Sequence, residues 1–431
     1  MLRITIRDTV PGMTVAMPVL HPDCPGHVLL KPGAQLEAAT IVALKDLGVR
    51  FIWIQYMPTM FLMRYAGVAI VHEQARLSSR LSECFDAIVH DLHADFDFQV
   101  YLGGVRALVQ RLLEDPCAAI FLGNILESRD PLLSHSTTVC YLSLLMGLKL
   151  GGYLVAERPI VGTRRAQNTE NLGIGALFHD VGMLRLGQDV REKFQRTRDE
   201  SDPQWQRHAG LGYDTVRGKI APTAAAAVLH HHQRLDGSGF PLRPRQDGKP
   251  RALSGSEIHI FARIVAVADI FERLLWAPGD EPGTPDVPVP AVRALRRMLA
   301  MARVGKIDPV VFKALLAVVP AYAPGAMVTL TDGRVCVVTS WDPTDPCRPI
   351  VCPFVNQADN GPRDEQQLGS PIDLRVNHSL QVAKVDGVDV KRDNFGPGYS
   401  GEFDTRFQYA ETALSEQLRA KPETYPHRPA A

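Results

Sequence analysis

Three consecutive histidines, His230, His231 and His232, stand four residues ahead of Asp236-Gly237-Ser238-Gly239-Phe240-Pro241. Neutral imidazoles are ligands for iron, zinc and similar metals. A glycine-rich turn lets backbone N–H groups approach an anion. A metal beside a phosphate-sized nest is the outline of a phosphohydrolase. The same residues also describe a helix end, where histidine is favourable near the negative pole, followed by a plain turn.

A second constellation lies upstream. The apolar run Ile174-Gly175-Ala176-Leu177-Phe178 ends in His179-Asp180-Val181-Gly182. A His-Asp pair closing a buried run is costly unless both groups are paired or bind a metal. Adjacent helical residues point about 100° apart, so one metal can sit between them while the carboxylate bridges to a second. A simple His–Asp hydrogen bond is the other reading. His135 opens a helix-like segment reaching Leu150, and His208 stands ahead of Gly210 and Gly212. Asp269 lies in the run from Ala262 to Phe271, apolar nearly all round and therefore buried. A lone carboxylate there needs a cation or a donor.

The order of these residues resembles the HD-GYP family of the HD phosphohydrolase superfamily, over about residues 125 to 320. The resemblance is carried by His135-Ser136, by Leu177-Phe178-His179-Asp180-Val181-Gly182, and by His208 with Gly212. It continues through His231-His232 with the Asp236–Pro241 turn, Glu257-Ile258, Ala262-Arg263-Ile264 and Val267-Ala268-Asp269. It implies a mainly α-helical HD-type domain that hydrolyses cyclic di-GMP at a metal centre. The implied ligands are His135, His179, Asp180, His208, His231, His232 and Asp269, with Asp180 bridging two divalent transition metal ions, iron or manganese. His179 and Asp180 would form the catalytic pair, with a metal-bridging hydroxide attacking phosphorus. Asp236, Gly237, Gly239, Phe240 and Pro241 would bind substrate. His230 falls just before the family's histidine pair and is left out.

Three departures weaken the likeness. The family places Lys after the glycine of the His-Asp element, where this chain has Met183. Its Arg-Pro-Tyr segment is missing, and the nearest basic side chain past Asp269 is Arg273. Some members use a carboxylate one turn before the first histidine, where Pro131 stands; two metals are therefore expected rather than three. These departures motivate an alternative: a metal-bound cyclic di-GMP sensor, or a scaffold that docks signalling proteins through Gly239-Phe240-Pro241. An HD-type hydrolase with another phosphoester substrate is a third reading.

The rest of the chain must position these groups. Lys+Arg equals Asp+Glu at 47 each, so no basic face for nucleic acid is implied. The seven cysteines form no Cys-x-x-Cys pair, which fits reduced thiols in the cytoplasm. No signal-peptide core opens the chain, and no uncharged run reaches the ~18 residues of a membrane span. The pattern predicts four parts: a small α+β module over 1–58, the helical HD-GYP domain over 70–320, a small β-barrel over 321–404 and a flexible tail over 405–431. Glu73 to His93 has an apolar stripe at helical spacing, suited to packing on the catalytic domain or to homodimerisation. The polar stretch Glu157 to Asn171 reads as an insertion loop.

Overall fold

The computed structural model describes residues 1–24, 26–65, 67–90, 97–114, 130–244, 249–278, 286–355 and 367–396. The tail expected over 405–431 lies outside them.

Helices dominate the middle of the chain. In order they are α1 (Ala38–Asp46), α2 (Val68–His90), α3 (Phe98–Glu114), α4 (Pro131–Lys149), α5 (Gly151–Ala156), α6 (Thr163–Ala166), α7 (Glu170–Leu177), α8 (Gln188–Thr197), α9 (Pro203–Val216), α10 (Pro222–His230), α11 (Ile260–Leu274), α12 (Ala291–Arg303) and α13 (Pro309–Val318). Local sequence sets several starts. Asp130, Asp202 and Asp308 each accept backbone N–H groups at a helix N-terminus, and proline follows each of them in the first turn. The predicted helix around Glu73 to His93 is α2, and its apolar stripe packs against α3 and α4. Helix α11 is buried at every residue from Ile260 to Glu272, as its all-round apolar sequence required. It packs against α4, α10 and α13, while α7 packs against α3, α4 and α10.

The stretch read as an insertion loop is more ordered than expected. It holds α6, and the Arg158 guanidinium donates to the carbonyls of Arg165 and Ala166, closing the segment on itself. Its first residue, Glu157, is drawn into a buried charge cluster. Arg263 of α11 donates to Asp308 at 2.8 Å, to the Tyr153 hydroxyl at 3.2 Å and also to Glu157. This cluster ties α11 to α5 and to the start of α13.

The strands flank the helices. β1 (Leu2–Thr5) pairs antiparallel with β4 (Phe51–Ile54), and β2 (Val19–Leu20) with β3 (Val28–Leu30). β5 (Trp276–Ala277) pairs with β6 (Val287–Pro288) after α11. The C-terminal strands are β7 (Met327–Leu330), β8 (Val335–Ser340), β9 (Ile350–Val355), β10 (Gln367–Leu368), β11 (Ile372–Asp373), β12 (Val382–Val385) and β13 (Val388–Asp389). They form one sheet ordered β10-β9-β8-β7-β12-β13, with β11 also on β9. Among the described residues this order has two ends, so the strands make an open sheet where a barrel was expected. The self-contained N-terminal module is not borne out either. Ile6, Val15, Leu36 and Ile52 share one apolar cluster with Val337 and Cys352 of the C-terminal sheet, and Met1, Met17 and Trp53 join the helical core. The N-terminal strands are too few to bury their own apolar face and complete it on these neighbours. No described helix is long and apolar enough to cross a membrane.

Removing the arginine from the buried cluster leaves Asp308 and Glu157 uncompensated. Arg263→Ala should destabilise the protein by about 3–5 kcal/mol; urea unfolding showing a loss below about 1 kcal/mol would contradict this role for the cluster.

Candidate metal centre

Five elements converge on one buried spot. His135 comes from the second turn of α4, and His179 and Asp180 from the residues just past α7. His208 comes from the middle of α9, His231 and His232 from the end of α10, and Asp269 from α11. All seven are buried. Among the described residues two groups of four offer ligand atoms within 4.8 Å of one another: His135, His179, Asp180 and Asp269, and Asp180, His208, His231 and His232. Asp180 belongs to both. Its Oδ2 lies 3.5 Å from His135 Nε2 and 3.7 Å from His179 Nε2, while its Oδ1 lies 3.3 Å from both His208 Nε2 and His231 Nε2.

The imidazoles are aimed by their own backbone. His179, His208 and His231 each place Nδ1 at 2.7 Å from the carbonyl three residues earlier, on Ala176, Trp205 and Val228. A carbonyl only accepts, so these contacts place a proton on Nδ1 and turn Nε2 toward the centre, where it is the lone pair of the neutral ring. At the ends of α7 and α10 those carbonyls are among the helix's unpaired acceptors. His135 is held differently: its Nδ1 donates to Glu272, and Glu272 also accepts from Trp276 Nε1 at 3.0 Å.

Bare acceptors therefore face one another. His208 Nε2 is 3.4 Å from His231 Nε2 and 3.1 Å from His232 Nε2. Buried Oδ1 of Asp180 and Oδ2 of Asp269 receive no hydrogen bond. Such orphaned acceptors are costly in a dry interior, and a shared cation is the group that satisfies them together. Burial pushes His231 down to about 4 and His232 well below its ordinary value, so both are neutral imidazoles at pH 7. Burial opposes ionisation of Asp180 and Asp269. The neighbouring His179 and Arg273 outweigh it at Asp180, and Arg273 and His135 do so at Asp269; both carboxyls lie well below the usual range. At His135 burial acts downward, but Glu272 and Asp269 outweigh it and raise the group to about 10. In the metal-free protein His135 thus carries a proton that an ion at its Nε2 would release.

Sequence reasoning missed Glu272, because a carboxylate on a buried helix gives no sign of which histidine it orients. It also left Arg273 open. That side chain reaches into the centre, donating to Asp269 and Asp180. His230 turns away, with Nε2 3.0 Å from Arg243, consistent with its exclusion from the ligand set.

The expected substrate residues lie beside His232 and are largely spent on holding it. Phe240 stacks on the His232 ring, with centroids 4.5 Å apart, and meets Trp205 edge-on. Asp236 accepts from Ser238 N–H and hydroxyl, fixing the turn, and Gly237 takes φ +79°. Gly239 serves close approach: a Cβ there would lie 2.3 Å from the His232 carbonyl oxygen and 2.5 Å from Arg234 N. Pro241 offers its carbonyl to Gln233. With Phe240 buried under His232, the outward face of this loop is Asp236 and Ser238, not the aromatic ring expected to dock partners. Met183 joins an apolar cluster with Leu186, Phe194, Trp205 and Phe240.

Residues 124–311 match the family model described as the HD domain. This segment is similar to HD domains, in line with the sequence resemblance. Over 233 residues the chain is 28% identical to the cyclic di-GMP phosphodiesterase PA4108 of Pseudomonas aeruginosa, covering 53% of this chain and 49% of that protein. Over 150 residues it is 34% identical to the cyclic di-GMP phosphodiesterase response regulator RpfG of Xanthomonas campestris, covering 34% of this chain and 36% of the relative. A 3'3'-cGAMP-specific phosphodiesterase 3 of Vibrio cholerae is 27% identical over 37% of this chain and 30% of its own length. The chain thus spans half or less of these relatives.

Two outcomes follow from this geometry. Glu272→Ala should weaken metal binding by about 10–100-fold, since partners that orient a ligand are worth that much; chelator competition giving unchanged affinity would contradict it. Gly239→Val should lower metal content along with ligand binding, because the backbone of His232 must move. Full metal content in that variant, by elemental analysis, would show that the turn can shift without disturbing the ligand.

Proposed function

We propose that this chain is a metal-dependent phosphodiesterase acting on cyclic di-GMP. The observation that carries the proposal is the sharing of Asp180 between two ligand groups, each of its oxygens facing a different set of imidazoles. The ligands would be His135, His179, Asp180 and Asp269 for one ion and Asp180, His208, His231 and His232 for the other. The mixed nitrogen and oxygen donor set suits iron or manganese. A pair of such ions, when bound, lowers the pKa of water and neutralises charge on the phosphoryl oxygens.

The protein's part is preorganisation. Backbone carbonyls fix three imidazoles with Nε2 inward, Glu272 fixes the fourth, and Phe240 with Trp205 packs against His232. Helices supply most of the centre, so the ligands are positioned before substrate arrives and little reorganisation is left for the reaction. The turn from Asp236 to Ser238 borders the same spot and is the candidate approach for a phosphodiester. Relatives named for cyclic di-GMP and for 3'3'-cGAMP support cyclic dinucleotides as the substrate class.

Two observations favour a slower enzyme or a sensor. Arg273 occupies carboxylate oxygens of the centre, and Met183 brings no charge to its apolar cluster.

Anaerobically purified, manganese-loaded protein should hydrolyse cyclic di-GMP, followed by chromatography of the products. His179→Ala and Asp180→Asn should each lower the rate by about a hundredfold or more and strip most of the metal, because the centre loses a ligand from one or both groups. Binding of cyclic di-GMP without turnover would replace the enzyme reading with the sensor reading. Turnover of 3'3'-cGAMP alone would move the substrate.

A further inference from the structure

Arg273 holds the same carboxylate oxygens that one ligand group offers to an ion. Its Nε donates to Asp269 Oδ1 at 2.5 Å and its Nη2 to Asp180 Oδ2 at 3.0 Å. Those oxygens lie 3.1 Å and 3.5 Å from His135 Nε2, inside the group of His135, His179, Asp180 and Asp269. The other group is built differently. Asp180 Oδ1 faces His208 and His231 at 3.3 Å and receives no hydrogen bond.

The guanidinium is fixed in place. It lies 5.4 Å from the Phe194 ring centre and 5.3 Å from that of Trp205. Those two rings stack on each other at 4.2 Å, and Trp205 packs against His208 and His232. A planar, permanently charged group held between aromatic faces and two carboxylates is a strong contender for those oxygens. A divalent ion entering the same group meets a positive charge a few ångströms away in a dry interior, where repulsion is poorly screened.

We propose that Arg273 is a built-in competitor for one half of the metal centre. The three-histidine half fills first, and the half formed by His135, His179, Asp180 and Asp269 fills only as the guanidinium gives up its hold on Asp180 Oδ2 and Asp269 Oδ1. The arginine also stands in for the ion in the metal-free protein, neutralising two buried carboxylates that would otherwise repel each other. This inference rests on the metal-centre reading above.

The test uses the full chain, stripped of metal by chelator under anaerobic conditions and titrated with Mn²⁺. Free Mn²⁺ is followed by electron paramagnetic resonance, and thermal unfolding is recorded with and without Mn²⁺. Wild type should bind two Mn²⁺ with clearly separated affinities. Arg273→Met should tighten the weaker site by about tenfold or more, as removal of a nearby like charge predicts. Its metal-free form should melt below wild type, and saturating Mn²⁺ should close most of that gap. Arg273→Lys, which keeps the charge without the fork, should fall between the two. If Arg273→Met folds only when refolded with Mn²⁺, chelator competition on the loaded protein reads the same affinity. An arginine with a purely structural role would lower the melting point equally with and without metal and leave the weaker site unchanged or weakened; that result overturns the proposal. Binding of no Mn²⁺ by wild type and variant alike would overturn the metal-centre reading itself.

Discussion

The centre depends on one carboxylate being placed between two sets of imidazoles. Asp180 is buried, and each of its oxygens faces a different pair of Nε2 atoms. Much of the surrounding helical packing serves that placement. The chain must leave α7 in a tight turn so that His179 and Asp180 diverge. Gly182 lets this turn meet α9, since a Cβ there would lie 2.0 Å from the His208 carbonyl oxygen. α9 and α10 must then bring three histidines to one side of the carboxylate, and α11 must bring Asp269 to the other. A burial this costly is tolerable only with compensating positive charge. In the metal-free protein Arg273 and the protonated His135 supply it.

Charge compensation also explains why α11 is so heavily anchored. At one end Arg263 binds Asp308, Tyr153 and Glu157. At the other, Glu272 holds His135 and receives Trp276, whose ring lies 4.7 Å beneath the Arg50 guanidinium of the N-terminal segment. A helix carrying Asp269, the carboxylate that holds His135 and the Arg273 guanidinium has little freedom to slide. The interfaces with the N-terminal strands and the C-terminal sheet extend the same packed core.

The buried cluster was legible in the sequence because its members are chemically conspicuous: buried histidines and lone carboxylates on apolar helices need partners, and their order carried a family resemblance. The helix expected to open at His135 starts a turn earlier, at Pro131 behind the capping Asp130. Glu272 and Arg273 were harder. Helical spacing puts Arg273 on the same face as Asp269, but only tertiary packing shows that it also reaches Asp180. The Gly239-Phe240-Pro241 element misled for a similar reason. A glycine-rich turn with an aromatic ring looks like a surface to be bound, yet the ring stacks inward on His232 and the glycine meets its carbonyl. The N-terminal segment has a plausible module's pattern, but only the structure shows that its apolar residues are buried against strands some three hundred residues away in the chain.

The most direct measurement is anomalous X-ray diffraction from crystals of the manganese-loaded protein. Two peaks about 3.5–4 Å apart are expected, as in other two-metal centres, with Asp180 bonded to both ions through separate oxygens and His232 on the ion that His208 and His231 hold. A single peak under saturating metal, or peaks to which Asp180 makes no bond, would contradict the shared-carboxylate centre on which the account rests.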